Sequence, residues 1–313
     1  MDDRLREGGM IPMVIQNFEQ LARMCGGSKK RTVAVAAAHD AHALEAVFRA
    51  QEEGILDYML VGDGAEIEKI AAAEGHRLDG GRVVDCRGEA EAAAESVRLV
   101  REGKADFLQK GLMQTSSILK AVLNKETGIG TGNIMSHVAF LDIPKYHKIV
   151  GVTDGGMLLY PDLEQKKAIV KNAVELFHRF GYEEPKVAAL CAVEVVNPKM
   201  PESVEAHELK TLAAEGALGR CFFEGPISFD LAVSADSAKI KGYESPVTGD
   251  ADIFLVPDIC TGNIMVKSLL AFADAKMAGC VVGAECPVAL NSRSASFEEK
   301  YYSLLACAQM CGS

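Results

Sequence analysis

Short apolar runs alternate with helical patterns along most of the chain. Residues 32–38 read as a buried strand and 41–53 as a helix; 58–61, 82–86 and 106–109 are further strands, followed by helices over 65–74, 89–102 and 115–124. This βαβα rhythm predicts a mostly parallel sheet covered on both faces. The second half opens differently. Residues 134–141 and 148–153 read as two strands with a short turn through Asp142, Ile143 and Pro144, so antiparallel pairing is expected there. A helix follows: Asp162 and Gln165 have capping-box spacing, Leu163, Val170, Val174 and Phe177 recur at helical intervals, and Gly181 stands where a chain leaves a helix. Strands over 186–191, 220–223, 252–256 and 281–284 come next, with helices over 202–215 and 263–276. A last helix over 296–308 sets Phe297, Tyr301, Leu304 and Ala308 on one face.

The length, 313 residues, suits two α/β domains better than one core. The switch to paired strands near residue 136 is the best boundary. The expected division is 1–135 with 290–313 as a first, discontinuous domain and 136–289 as the second. No run of about 18 apolar residues exists, so no membrane span is expected. The first nine residues read as a polar extension, with Met10 or Met13 as alternative starts. The apolar stretch at 10–15 is too short for a signal segment, so a cytoplasmic chain is expected.

The formal net charge is −11, and Lys29, Lys30 and Arg31 make the one dense basic run, which argues against a nucleic-acid partner. A small anion remains compatible, because a site can be positive on a negative protein. The nine cysteines show no C-x-x-C and no His partners at zinc-like spacing. They read as reduced thiols packed as small hydrophobes.

In parallel α/β sheets ligands gather beyond the carboxyl ends of strands, where helix N-termini present amide donors to anions. One such turn runs from Lys110 and Gly111 to Thr115, Ser116 and Ser117, and could seat a phosphate on hydroxyls and a lysine; the plainer reading is a surface lysine and an ordinary helix cap. A second holds Ser292, Arg293, Glu298 and Glu299 at the start of the last helix. An arginine there opposes the helix dipole unless an anion lies between them, whereas Ser296 and Glu299 also fit a capping box. Asp250, Asp252 and Asp258 flank one strand; magnesium is conceivable, but such aspartates are common at turn edges and no metal site is assigned. Asp154, Gly155 and Gly156 follow another strand and allow close backbone approach. His137 lies in an apolar strand pattern and reads first as a structural histidine. The spacings of a Walker A loop and of the dinucleotide fingerprint are both absent.

These segments, in this order, resemble the phosphate acetyl/butyryltransferase family, and its butyryl branch most. The likeness rests on Ala-Asp-Phe-Leu-Gln-Lys-Gly at 105–111, Ser-His-Val-Ala at 136–139, Val-Thr-Asp-Gly-Gly-Met at 152–157 and Pro-Asp-Leu-Glu-Gln-Lys at 161–166. Val-Asn-Pro-Lys-Met-Pro at 196–201, the segments at 224–234 and 249–259, and the Ser292–Arg293 pair extend it. Each motif alone is weak; their colinear run from about 14 to 310 is strong. The resemblance implies two three-layer α/β domains with a cleft between them, a fold shared with isocitrate- and isopropylmalate-type dehydrogenases. It implies transfer of a short acyl group between coenzyme A and inorganic phosphate, with coenzyme A a substrate and no cofactor. It implies phosphate near Ser292 and Arg293, and a base at Glu299, or at Glu298, which matches an acid common to both branches. Lys110, Thr115, Ser116, Asp154 and Asp252 complete the expected binding set. A homodimer or larger assembly, and an acyl kinase working downstream, are the expected partners. The rivals are a metal- and NAD-dependent dehydrogenase of the same fold, using the aspartates near 250–258, and a non-catalytic binder of coenzyme A or phosphate.

Overall fold

The first half is built of strand–helix units whose helix starts are set by single side chains. The computed structural model describes residues 14–27 and 29–312, so the expectations for residues 1–9, Met10 and Met13 lie outside the described residues. Helix α1 (Phe18–Gly26) leads to β1 (Arg31–Ala36), α2 (Ala41–Glu52), β2 (Leu56–Gly62), α3 (Gly64–Ala73), β3 (Val83–Asp85), α4 (Glu89–Arg101), β4 (Phe107–Lys110) and α5 (Thr115–Val122). Asp40 and Asp63 accept the N–H groups of Ala43 and Glu66, satisfying amides that each helix leaves unbonded. Strands β1 to β4 are parallel, as the rhythm predicts.

The second half contains β5 (Ser136–Asp142), β6 (Val150–Thr153), α6 (Leu163–Arg179), β7 (Lys186–Leu190), α7 (Pro201–Ala214), β8 (Phe222–Ile227), α8 (Phe229–Val233) and α9 (Ala235–Lys241). It ends with β9 (Ile253–Leu255), α10 (Ile259–Phe272), β10 (Lys276–Val282), β11 (Val288–Ala289) and α11 (Phe297–Met310). The expected hairpin is present: β5 and β6 pair antiparallel. Asp162 and Gln165 close the expected capping box on α6.

The eleven strands form one mixed sheet in the order β3-β2-β1-β4-β11-β10-β5-β6-β9-β7-β8. Both flanks are parallel, whereas β10 runs antiparallel to its neighbours β11 and β5 in the middle. Helix α11 packs on α1, α2 and β10, so the C-terminal helix returns to the first half. One apolar core includes Phe18, Phe48, Phe177 and Tyr301; a second gathers around Phe254, Leu231 and Val152. The nine cysteines are unbridged; Cys25, Cys86, Cys280, Cys286 and Cys307 are buried as expected, Cys191, Cys221 and Cys311 are half-buried, and Cys260 is exposed on α10, so the packed reading fails there, while burial pushes the Cys25 thiol up to about 12. No described helix is long and apolar enough to cross a membrane.

Some boundaries differ from the sequence reading. Helix α10 starts at Ile259 and not at 263, because Asp258 caps it by accepting the Thr261 N–H at 2.9 Å. The helix then stops before Asp274, whose φ of 51° is left-handed, and β10 starts at Lys276 and not at 281. The apolar residues of 264–282 run too continuously for periodicity to mark that break. Strand β8 runs on through Gly225 and Pro226 to Ile227, past the expected end at 223; it is the edge strand of the sheet, where proline is tolerated. Helices α1, α8 and α9 and the two-residue β11 were not anticipated.

Candidate active site

Five stretches of sequence meet around a cavity of about 560 Å³. Its floor is the sheet. His137 and Ala139 alternate onto one face of β5, and Met277 joins them from β10, where Gly279 pairs with Ala139 and Met277 with Leu141. The turn after β6 adds Gly155 and Gly156. Helix α10 forms the roof with Asn263, Val266 and Leu270. Polar groups make the rim: Thr115 opens α5, Ser292 and Ser294 follow β11, and Glu299 lies in the first turn of α11.

Two rim residues carry chemistry that the neighbouring protein leaves unused. Glu299 is half-buried, and its carboxylate has no ion-pair partner among the described residues. Burial raises its pKa above the carboxylate range, and the nearby Glu298 charge adds to this; the Ser296 N–H and Lys300 only partly offset it. The capping contact foreseen for this helix also exists, since Ser296 Oγ accepts the Glu299 N–H at 3.2 Å. That bond uses the Glu299 backbone, and its side chain still borders the cavity. Ser292 Oγ lies 3.1 Å from Ser294 Oγ, a hydroxyl pair on the rim.

Two deeper residues have buried atoms without a partner, His137 Nδ1 and Asn291 Oδ1. Burial lowers the His137 pKa, against the pull of Asp154 and a hydrogen bond to the Leu290 carbonyl. Asn291 is held from the other side, donating from Nδ2 to Ser303 Oγ at 2.9 Å. Such orphaned polar atoms beside a cavity fit a site that completes its hydrogen bonding with a ligand. His137 had read first as structural, and Asn291 had been given no role. The signal is burial without a partner, which a linear sequence does not display.

The positive side adjoins this rim. Lys110 ends β4 almost fully buried, with Nζ donating to the carbonyls of Gly111 and Met113 at 3.3 Å each. Burial, then the charges of Lys300 and Arg293, lower its pKa, against Asp40 and Glu89. Arg293 is half-exposed, its Nη2 3.8 Å from Glu89 Oε1. Glu89 also accepts the Gln114 N–H at 3.0 Å and the Ser117 hydroxyl at 2.8 Å. Those two bonds, followed by the charges of Arg293 and Lys110, depress its pKa. Arg293 pairs with Glu89, a carboxylate the sequence reading had not singled out, and the Lys110 charge also acts on it.

Other expected residues stand elsewhere. Ser116 and Glu298 are exposed and, like Lys110 and Arg293, do not line the cavity. Asp154 lies beneath it, but its carboxylate is already occupied: it accepts the N–H groups of Gly156 and Met157 at 2.8 Å and of His137 at 2.9 Å. It shapes the turn and has little left for a substrate. Asp252 needs correction. It precedes β9, at the opposite end of that strand from the turn into α10, and faces Lys148 Nζ at 2.6 Å in a separate cavity. A roomier cavity of about 900 Å³ runs past the ends of β2 and β3, but Asp63, Glu68, Asp85 and Glu89 outnumber Arg87 there, which disfavours an anion. No cluster of histidine, cysteine and carboxylate that could hold a metal occurs among the described residues.

Hydroxyls, the Lys267 ammonium and the Glu299 carboxyl line a slot that turns apolar, with Arg293 placed between Ser292 and Ser294 in the chain, and this makes it the site of a group-transfer enzyme acting on an anion. Residues 89–308 match the family described as Phosphate acetyl/butaryl transferase, and the chain belongs to that family. It is 41% identical over 300 residues to the phosphate butyryltransferase of Clostridium acetobutylicum, covering 96% of this chain and 100% of that one. It is 40% identical over 287 residues to the phosphate acetyltransferase of Thermotoga maritima, covering 92% and 97%. The crystal structure of a branched-chain phosphotransacylase from Enterococcus faecalis superposes with a TM-score of 0.79 at 36% identity, covering 90% of this chain and 99% of that one.

Proposed function

We propose that this chain transfers a short acyl group reversibly between coenzyme A and inorganic phosphate. The supporting observation is one cavity lined by the hydroxyls of Thr115, Ser292 and Ser294, by Lys267 and Glu299, and by the apolar Ala139, Val266, Leu270 and Met277. In one direction Glu299 takes the proton of the coenzyme A thiol, and the thiolate attacks the acyl carbonyl of the acyl phosphate. The bond to the phosphate oxygen breaks, and phosphate leaves with the electron pair. In the other direction a phosphate oxygen attacks the thioester carbonyl, the thiolate leaves, and Glu299 returns the proton. A thiol with a pKa of about 8.5 needs only modest help near neutral pH. Ser292 and Thr115 face the leaving phosphate, with Arg293 and Lys110 supplying positive charge. No enzyme thioester is formed, so the cysteines have no catalytic part. Coenzyme A is a substrate, and no cofactor or metal enters.

The finer readings go with this proposal. Residues 1–135 with 290–313, and 136–289, form two α/β domains of the isocitrate/isopropylmalate dehydrogenase type; the parallel flanks on either side of an antiparallel middle support this. The enzyme works in the cytoplasm, as a dimer or larger assembly, and feeds acyl phosphate to a kinase that passes its phosphoryl group to ADP. The apolar side chains that α10 exposes, Ile264 and Phe272, support an assembly.

The test is phosphate-dependent release of coenzyme A from butyryl-CoA. Arg293→Gln is expected to raise the phosphate KM, and Glu299→Gln to lower kcat. Full activity in the arginine variant would remove the phosphate clamp. Full activity in Glu299→Gln with loss in Glu298→Gln would move the base to Glu298.

A further inference from the structure

We infer that the acyl chain lies along the sheet floor beneath α10, and that Ala139 and Met277 set the chain length this enzyme accepts. The inference rests on the acyl-transfer reading above and names a subsite within it. The reacting carbonyl must sit where thiol, phosphate and Glu299 meet, at the polar rim. The chain attached to that carbonyl then has one apolar direction to follow. Ala139 and Met277 form that floor, and Val266, Leu270 and Ala271 of α10 line the other side, with Lys267 beside them.

The register fixes the depth of this slot. His137, Ala139 and Leu141 occupy one face of β5, with Val281, Gly279 and Met277 as their antiparallel partners. Same-face residues on a strand are about 7 Å apart, so the floor from His137 to Ala139 spans about the length of an extended short acyl chain. Leu141, the next on that face, is fully buried and lies outside the cavity lining, so the floor ends before it. Small residues let the sheet and the Leu290 carbonyl pack closely beneath the slot. Ala139 offers only a methyl. At Gly279 a Cβ would come within 2.7 Å of the Leu290 carbonyl oxygen and 3.0 Å of His137 Nε2, so no side chain fits. The same point lies 3.5 Å from Met277 Cε, which places the end of that flexible side chain over Gly279 at the edge of the slot. A methionine there can re-pack around a straight or a branched chain. The apolar wall thus extends beyond what an acetyl group would use and stops short of a medium-length chain.

The experiment compares kcat/KM across acetyl-, butyryl-, isobutyryl-, hexanoyl- and octanoyl-CoA with phosphate. The wild type is expected to favour the four-carbon substrates over both acetyl- and octanoyl-CoA. Ala139→Leu places an isopropyl group on the floor and is expected to lower the butyryl-to-acetyl ratio by about tenfold or more, since one methylene in an apolar pocket is worth about that much. Met277→Ala opens the end of the slot and is expected to raise hexanoyl relative to butyryl. A folded Ala139→Leu protein that keeps the wild-type ratio would overturn the inference. If that variant does not fold, an unchanged chain-length profile in Met277→Ala, at a half-buried position, would overturn it equally. A wild-type protein that turns over none of these thioesters with phosphate would instead sink the acyl-transfer reading.

Discussion

Glu299, the base of the proposed mechanism, is a half-buried carboxyl on the cavity wall. A carboxylate in the first turn of a helix is ordinarily favoured by the helix dipole. Here burial, reinforced by the Glu298 charge, outweighs that and raises the pKa. With Glu299 as the proposed base, activity is lost as pH falls through this raised value, so the acid limb of kcat/KM for acyl phosphate with coenzyme A should lie above the value of about 4.3 for a free glutamate. In Glu299→Gln that limb should vanish, with a rate loss of roughly 10²–10⁴-fold, read from pH–rate profiles. The same shift acts on folding with a definite sign. A carboxyl whose pKa is raised in the folded state costs stability at pH above its unfolded value and nothing below it. Glu299→Gln should therefore raise Tm at pH 7 and leave it unchanged near pH 3. At this scale the sequence was partly legible. Thr115, Ser292, Arg293 and Glu299 sit in local strand-to-helix patterns that can be read in order. The partnerless atoms of His137 and Asn291 exist only because distant strands close over them. Asp252 did carry a usable signal, since it stands before its strand and ligands gather after such strands.

The turn from β4 into α5 shows how an element holds charge near its task. Gly111 is required there by close approach: a Cβ would lie 2.3 Å from the Ala37 carbonyl oxygen and 2.8 Å from that of Ala36. Its N–H also donates to the Ala36 carbonyl at 2.8 Å, which locks the turn beneath the Lys110 ammonium. Gly111→Ala should cost about 2 kcal/mol by urea unfolding, within the usual range for overpacking. It should also lower acyl transfer at subsaturating phosphate, because Lys110 and Thr115 flank the displaced backbone. The βα units of the first half were legible because apolar runs and helical periods alternate there with helix-capping residues. The α10–β10 junction was not, because its apolar residues run on without a periodic break and the stop is a single left-handed Asp274. Strand β11 escaped because two residues carry no period at all.

The whole molecule is organised around its single sheet. At the ends of β6, β7 and β9 away from the active site, Lys148 is buried between Asp252 at 2.6 Å and Asp250 at 2.8 Å, and Lys186 also pairs with Asp250. Burial raises the Asp252 pKa despite Lys148; at Asp250 the bonds from Lys148, Lys186 and His147 more than reverse the effect of burial. Removing the shared cation leaves two carboxylates facing each other. Lys148→Met should cost about 3 kcal/mol or more in a denaturant titration, while acyl transfer by the folded protein is unchanged. The fold class was legible at this scale from the order of elements, whereas the merging of both halves into one sheet depends on pairings distant in sequence. Those pairings order the birth of the molecule. β4 and β5 follow each other along the chain, yet β11 and β10, synthesised near the end, lie between them. A growing polypeptide on the ribosome therefore holds two half-sheets with bare facing edges until its last strands emerge.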